Sequence, residues 1–500
     1  MVRNGGVLTS EMFERTWQLA DTKLLAEDPI GTVWYLHVQP PLYNLGVGVL
    51  LRWSPFPVIG TLYVLYMAML LLTGLVLWDL LVRWEVHPLV AGAVGALVVS
   101  EPDLLRTAVW NSYEIPVALM LTMALWFLQR FVQVRAGRWL VATSAALTAA
   151  SLTRSVVHPV FVVAVVVLAG WWGSASRRAL LAAGAVPLVL VGGWMAHNAV
   201  LFDTFTTSSW SGFNLQRGVT APMERGDVET AVADGTVTSN ALVQPWQGLD
   251  AYRPPAPCTP DHRHRSLSEE NQSDTGSTNL DNACFLPLYS EAESNALALV
   301  KAYPGRYLRT RAQVLPTSFG VARVGLPEDL PLFVEDVRPD RTWMDTFADF
   351  WQLPTSESVD MRGWNLPLVG ADRLPYDFSW TLAALTAFLL GRAVLAVARL
   401  ARAAVKGRRS STGSDHDALH ADEADPDGTD ALLTDQGRVD GGDEILWMVA
   451  GALVGLVVVG GSMVEFGENG RFRAIVDPLI VGLPIGALAR GVSARFTAHR

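Results

Sequence analysis

Nine stretches of this chain carry no charge through their central residues: near 57–78, 87–100, 115–129, 139–153, 156–173, 179–201, 379–391, 445–464 and 474–489. A helix of about 20 apolar residues spans the ~30 Å hydrocarbon core of a bilayer, and shorter runs are extended by flanking polar side chains that reach the interface. Composition alone, 50% hydrophobic and 17% charged over 500 residues, would allow two to four soluble domains or one multi-pass protein. The distribution decides for the second. It predicts a polytopic α-helical membrane protein with about nine transmembrane helices, of which 87–100 and 139–153 are among the shortest.

The formal net charge of −10 is localised rather than general. Residues 406–444 hold eleven acidic against four basic side chains, −7 of the total. With few apolar residues and many Ser, Gly and Asp, this stretch cannot bury enough surface to fold, so 405–444 reads as a disordered acidic linker, with a docking segment as the alternative. No nucleic-acid partner is expected.

Arg and Lys near span ends set orientation, with the excess on the cytoplasmic side. Running the first span inward places fourteen basic residues inside, among them Arg83, Arg130, Arg135, Arg138, Arg177 and Arg178. Only Arg52, Arg106, Arg154, Arg471 and Arg473 fall in short outer segments. The chain then divides into a first outer loop with an interfacial helix (1–56), a six-helix block (57–201), a large extracytoplasmic domain (202–378), one span (379–404), the linker, and two C-terminal spans (445–500). Residues 1–56 lie outside with neither a signal peptide nor an upstream span, which favours a missing initial helix over unaided translocation. The expected location is the plasma membrane.

The outer domain reads as mixed α+β. "FDTFTTSSWSGFNLQRG" suits short strands or ordered loop, 290–315 has helical periodicity, and 254–282 is rich in Pro, Ser, Asp and Asn like a long flexible loop. Cys258 and Cys284, the two cysteines, both fall here, where an oxidising compartment permits a disulfide. There is no internal repeat and no nucleotide-binding glycine pattern.

Polar groups gather in islands between spans, all on the outer face of this threading: "LHVQPPLYN" (36–44), "SEPDLLRTAVWNSYE" (100–114), "LTRSVVHP" (152–159) and "EFGENGRFRAIVDP" (465–478). Ionisable residues at the membrane edge are costly, and clustering gives them a functional reading by default. Pro40 and Pro41 start a short helix whose free N–H groups favour an anion ahead of it, where His37 and Gln39 stand. The plainer reading is a Pro-capped interfacial helix with a hydrogen-bonded histidine. Arg471 and Arg473 could grip phosphate through their guanidinium forks or simply pair with Glu465 and Glu468. Arg154 and His158, at i and i+4, share a face if their helix continues, as ligands or as a snorkelling pair.

These motifs resemble those of the glycosyltransferase C superfamily, in particular bacterial relatives of protein O-mannosyltransferases and of lipid A aminoarabinose transferases. Such proteins carry an acidic residue early in the first outer loop and, about thirty residues on, a His or Lys before Pro-Pro. "LHVQPPLYN" is similar to the second element with Val-Gln inserted. "WMAHNAVLFDTFTTSSWSGFNL" (194–215) is similar to an Asn-x3-Phe-Gly segment, with Asp203 in place of Gly, and "GENGRFRAIVDPLI" to a closing Glu-x-x-Arg-Phe-Arg segment. The likeness covers most of the membrane part and leaves the outer domain unassigned.

The resemblance implies transfer of a sugar from a polyprenyl-phosphate donor to a glycan, lipid or protein acceptor on the outer face. A carboxylate acts as general base, with inversion at the sugar carbon. Counting back from Pro40 and Pro41 places Glu11 as that base, with Glu14 and Asp21 as rivals; as an ordinary residue, Glu11 sits in a first helical turn after the Ser10 cap. His37, Arg471 and Arg473 then contact the phosphate, and Gln39, Arg154, Glu101 and Asp103 line the pocket. Some members of the superfamily use a divalent metal. The sequence has no compact ligand set for one, since His262 and His264 stand in the loop. The rival functions are a non-catalytic envelope scaffold and a lipid or solute transporter.

Overall fold

A computed structural model describes residues 18–101, 104–105, 107–108, 113–221, 223–253, 258, 261–319, 378–413, 430–464 and 469–498. Glu11, Glu14 and Asp103 lie outside these residues, and so do 320–377 of the expected outer domain. The described part is mostly helical. Its one β feature is an isolated antiparallel bridge between Asn271 and Thr278, so the described residues hold no sheet.

The N-terminal segment forms α1 (Thr22–Glu27), α2 (Pro29–Trp34) and α3 (Pro41–Trp53). The side chains of Asp21 and Asp28 cap α1 and α2, and Pro29 and Pro41 take first-turn positions that need no N–H. Six apolar helices follow: α4 (Val58–Arg83), α5 (Pro88–Val99), α6 (Glu114–Val134), α7 (Gly137–Thr153), α8 (Pro159–Trp172) and α9 (Arg177–Phe202). α5 and α8 start by one device. A histidine precedes the proline, and its Nδ1 accepts the N–H of Leu89 or Val160 at 3.3 Å. This corrects the expected Arg154–His158 face: α7 ends at Thr153, and Arg154 is extended at φ −150° and ψ 128°. His158 caps the next helix instead.

Outside the bundle lie α10 (Ser211–Thr220), α11 (Arg225–Ala233), α12 (Arg265–Ser268), α13 (Leu286–Ala302) and α14 (Pro304–Val314). α10 packs on α13 so closely that a Cβ on Gly212 would overlap the carbonyl of Tyr289. Phe213, Tyr252, Phe285 and Tyr289 form the aromatic core beside that contact. Residues 261–282, expected to be a flexible loop, are held by buried amides. Asn279 Nδ2 donates to the carbonyls of Ser266 (2.7 Å) and Glu269 (2.8 Å), and Asn282 Nδ2 donates to Glu269 (3.0 Å). Polar composition marked this segment as loop, but its Asn side chains replace sheet or helix partners for the backbone. Cys258 and Cys284 form a disulfide.

The chain returns through α15 (Phe378–Gly413), α16 (Asp430–Val454), a π-helical turn at Gly455–Gly460, α17 (Gly461–Val464), α18 (Asn469–Ala474) and α19 (Asp477–Ala498). Helix therefore enters the stretch read as a disordered linker from both sides, leaving 414–429 outside the described residues. Extending an existing helix forms a hydrogen bond per residue without a new nucleus, which composition alone does not register.

Each of the nine apolar runs is helical over most of its length, and among the described residues five helices are long and apolar enough to cross a membrane: Val58–Arg83, Glu114–Val134, Arg177–Phe202, Thr381–Ala403 and Gly442–Met463. At 1.5 Å per residue the shortest, 21 residues, measures about 32 Å. Pro88–Val99 and Pro159–Trp172 are shorter apolar helices. Two sets of contacts define the bundle's ends. At one, Trp84 stacks on Trp447 at 5.2 Å, and Asp443 receives Trp84 Nε1 (3.1 Å) and Arg490 (2.7 Å). At the other the polar islands meet.

Candidate functional site

Helix starts and stops place the charges of this end. Glu114 opens α6, Arg154 directly follows α7, and α18 and the first residue of α19 carry Arg473 and Asp477. Arg154 donates from Nη1 to Glu114 at 3.1 Å, with the two side chains 5% and 0% exposed. Its guanidinium also lies 4.5 Å from the Tyr113 ring and 3.8 Å from that of Phe472. Phe472 stands between Arg471 and Arg473, so the 100–114, 152–159 and 465–478 islands touch through one side chain. The fourth joins through α3: Tyr43 packs edge-on against Tyr113 at 5.7 Å and hydrogen-bonds Tyr66 of α4.

Among the described residues, the buried Nη2 of Arg154 and the buried Nε2 of Gln39, which stands two residues ahead of Pro41, have no hydrogen-bond partner. A buried N–H left unmade costs about 1–3 kcal/mol, more when charged, so each of these donors favours a further acceptor. The α3 N-terminus itself has no side-chain cap. Arg473 is committed elsewhere. Its Nε donates to both carboxylate oxygens of Asp477 at 3.0 and 3.2 Å, and Nη1 reaches the carbonyl of Ser318 at 3.3 Å. Glu101 is buried, and its Oε2 accepts the N–H of Leu104 at 2.7 Å. Arg471 lies on α18, with its side chain outside the described ones.

His37 turns away from this cluster towards the outer module. Nδ1 meets Ser209 Oγ at 2.7 Å, Nε2 meets the Asp281 carbonyl at 2.9 Å, and the ring is fully buried. Burial pushes its pKa down to about 4. At neutral pH it is an uncharged ring that ties three segments together, and it brings no positive charge to a phosphate. Asp281 accepts the N–H groups of His37 (3.3 Å) and Val38 (3.4 Å), and burial raises its carboxyl to about 7 against those bonds. Asp21, the rival base, is committed to capping. Burial raises its carboxyl, but Ser273 through hydroxyl and N–H, with the N–H groups of Leu24 and Lys23, holds it below the ordinary range.

Neither a family model nor a curated protein nor a solved structure matches this chain. The geometry therefore stands by itself. It brings Arg154, the Arg473 helix and the Gln39 segment to one end of the bundle, separates His37 by orientation, and adds groups that the sequence reading passed over. Glu114 and Asp477 stood inside quoted islands, each an acid at the edge of an apolar run, and that position was their signal. Asp281 had none, being one acid among many in a polar loop. Among the described residues no three His, Cys, Asp or Glu side chains gather as a metal site. Glu114, Asp477 and Asp281 are already held by an arginine or by backbone N–H groups.

Proposed function

We propose that the chain is a glycosyltransferase of about nine transmembrane helices in the plasma membrane, moving a sugar from polyprenyl phosphate to a glycan, lipid or protein acceptor at the extracytoplasmic end. The observation that supports this reading is the pair of unpartnered buried donors, Arg154 Nη2 and Gln39 Nε2, at the end where the islands meet. Phosphate oxygens can accept from both donors, and a guanidinium in a dry setting stabilises charge that grows on them.

In the reaction, the acceptor hydroxyl oxygen attacks the sugar C1 from the face opposite the phosphate. The C1–O bond breaks with its electron pair going to the phosphate, and a carboxylate takes the hydroxyl proton, giving inversion. Glu11 is the carboxylate that the family resemblance points to. Arg154 neutralises the leaving phosphate and Gln39 donates to it. Arg473, held by Asp477, fixes the helix carrying Phe472 and Arg471, while neutral His37 positions the segment ahead of α3.

The test supplies membranes carrying the protein with radiolabelled polyprenyl-phosphate sugars. Wild type should transfer label, Glu11→Ala should lose it about 100-fold or more, and Arg154→Gln paired with Glu114→Gln, which keeps the buried site neutral, should lose it comparably. Equal product from all three would refute the residue roles. No product from wild type would favour the scaffold.

A further inference from the structure

The opposite end of the bundle holds a second polar cluster, made almost entirely of donors. Trp139, in the first turn of α7, has the Arg130 guanidinium at 5.2 Å from its ring centre and that of Arg138 at 5.4 Å. Arg130 Nε and Trp139 Nε1 are buried atoms without a hydrogen-bond partner among the described residues. Arg138 is exposed, and among the described residues neither arginine has an ion pair. The start of α7 has no side-chain cap, so its first N–H groups add the positive end of a helix dipole.

The described acids around this end are already taken. Asp79 accepts from Arg83 and from Trp126 Nε1, both at 2.6 Å; Asp443 and Glu85 pair with Arg490, and Glu444 with Arg399. Two unmatched guanidiniums, an indole N–H and a free helix start on one half-buried patch select an anion with several acceptor oxygens. The setting selects its source. On α4, Leu71, Leu75 and Trp78 are 60%, 52% and 38% exposed and form an apolar stripe next to Asp79, whose partner Trp126 packs on Trp139 at 5.7 Å. An acyl chain fits such a stripe, and a tryptophan at the membrane edge suits the glycerol region above it.

We propose that Arg130, Arg138 and Trp139 hold the phosphate of an anionic phospholipid in the leaflet at this end of the bundle. This site stands independently of the transfer chemistry, which lies at the other end. The experiment is native mass spectrometry of the full chain in detergent, titrated with phosphatidylglycerol, phosphatidylcholine or inorganic phosphate. Wild type should retain phosphatidylglycerol in preference to phosphatidylcholine, and the preference should fall about fivefold for each arginine replaced in Arg130→Gln and Arg138→Gln. Equal retention of the two lipids, or unchanged preference in the double variant, overturns the site. If the double variant does not fold, Arg138→Gln decides alone, because its side chain is exposed; no fall there overturns the site equally. Inorganic phosphate that displaces the lipid at millimolar concentration would make this a free-anion site and overturn the lipid assignment.

Discussion

Arg154 and Glu114 are two charges held out of water, and magnitudes say what the pair does. Removing one partner of a buried ion pair strands the other and costs about 3–5 kcal/mol, whereas replacing both by apolar groups of similar size is often neutral. Arg154→Met alone should therefore lower the melting temperature of the detergent-solubilised protein sharply. Arg154→Met with Glu114→Leu should recover most of the loss without recovering transfer. A double variant as unstable as the single one would show that the pair is needed for folding rather than for function.

His37 and Asp281 are in contact and shift in opposite directions. His37 titrates at about 4 in the folded state against its usual 6.5, so the unfolded chain binds more protons between those values and stability falls as pH drops through them. Asp281 titrates at about 7 against 3.8, so the folded chain binds more protons in that window and stability rises as pH drops. Each shift corresponds to roughly 3–4 kcal/mol, and between pH 4 and 6.5 the two nearly cancel. Asp281→Asn keeps an acceptor for both N–H groups and exposes the histidine's slope. The variant should lose stability relative to wild type as pH falls from 6.5 to 4. Parallel melting curves across that range would sink this account.

At the scale of elements, α4 and α5 meet backbone to backbone, where a Cβ on Gly95 would stand 2.9 Å from the Gly74 carbonyl oxygen. Helix preference favours Ala over Gly by about 1 kcal/mol, but forcing two backbones apart costs about 1–3 kcal/mol. Gly95→Ala should therefore destabilise, measurable as a lower melting temperature; a rise would mean that the helices separate freely. The start of α3 was the most legible, because Pro41 acts on its own backbone. The end of α7 was not, since nothing in "LTRSVVHP" says whether a helix runs on until His158 caps the next one.

For the whole molecule, the expected threading of the apolar helices puts residues 203–319 and the stretch after Gly413 on opposite sides of the membrane. Reporter fusions after Arg253 and after Gly413 test this, and the same side for both would undo the threading. The apolar helices and the single end shared by the four islands could be read from apolar runs and arginine placement, because dehydrating a charge at mid-membrane is costly wherever the chain goes. The expected α+β content had no comparable constraint. In 203–210, Ser208 and Ser209 bond the 37–38 segment, Ser209 N to the His37 carbonyl at 2.9 Å and Ser208 Oγ to that of Val38 at 2.6 Å, without forming a strand.

The sequence by itself determined where the apolar helices lie and which charges flank them, since hydrogen bonding within a helix and exclusion of charge from hydrocarbon act over neighbouring residues. Only the tertiary structure decided which of those charges meet. Glu114 takes Arg154 across 40 residues, and Asp281 reaches His37 across 244. Such pairings depend on how packed helices and a folded outer module bring distant backbone together, and no local property of either residue encodes its partner.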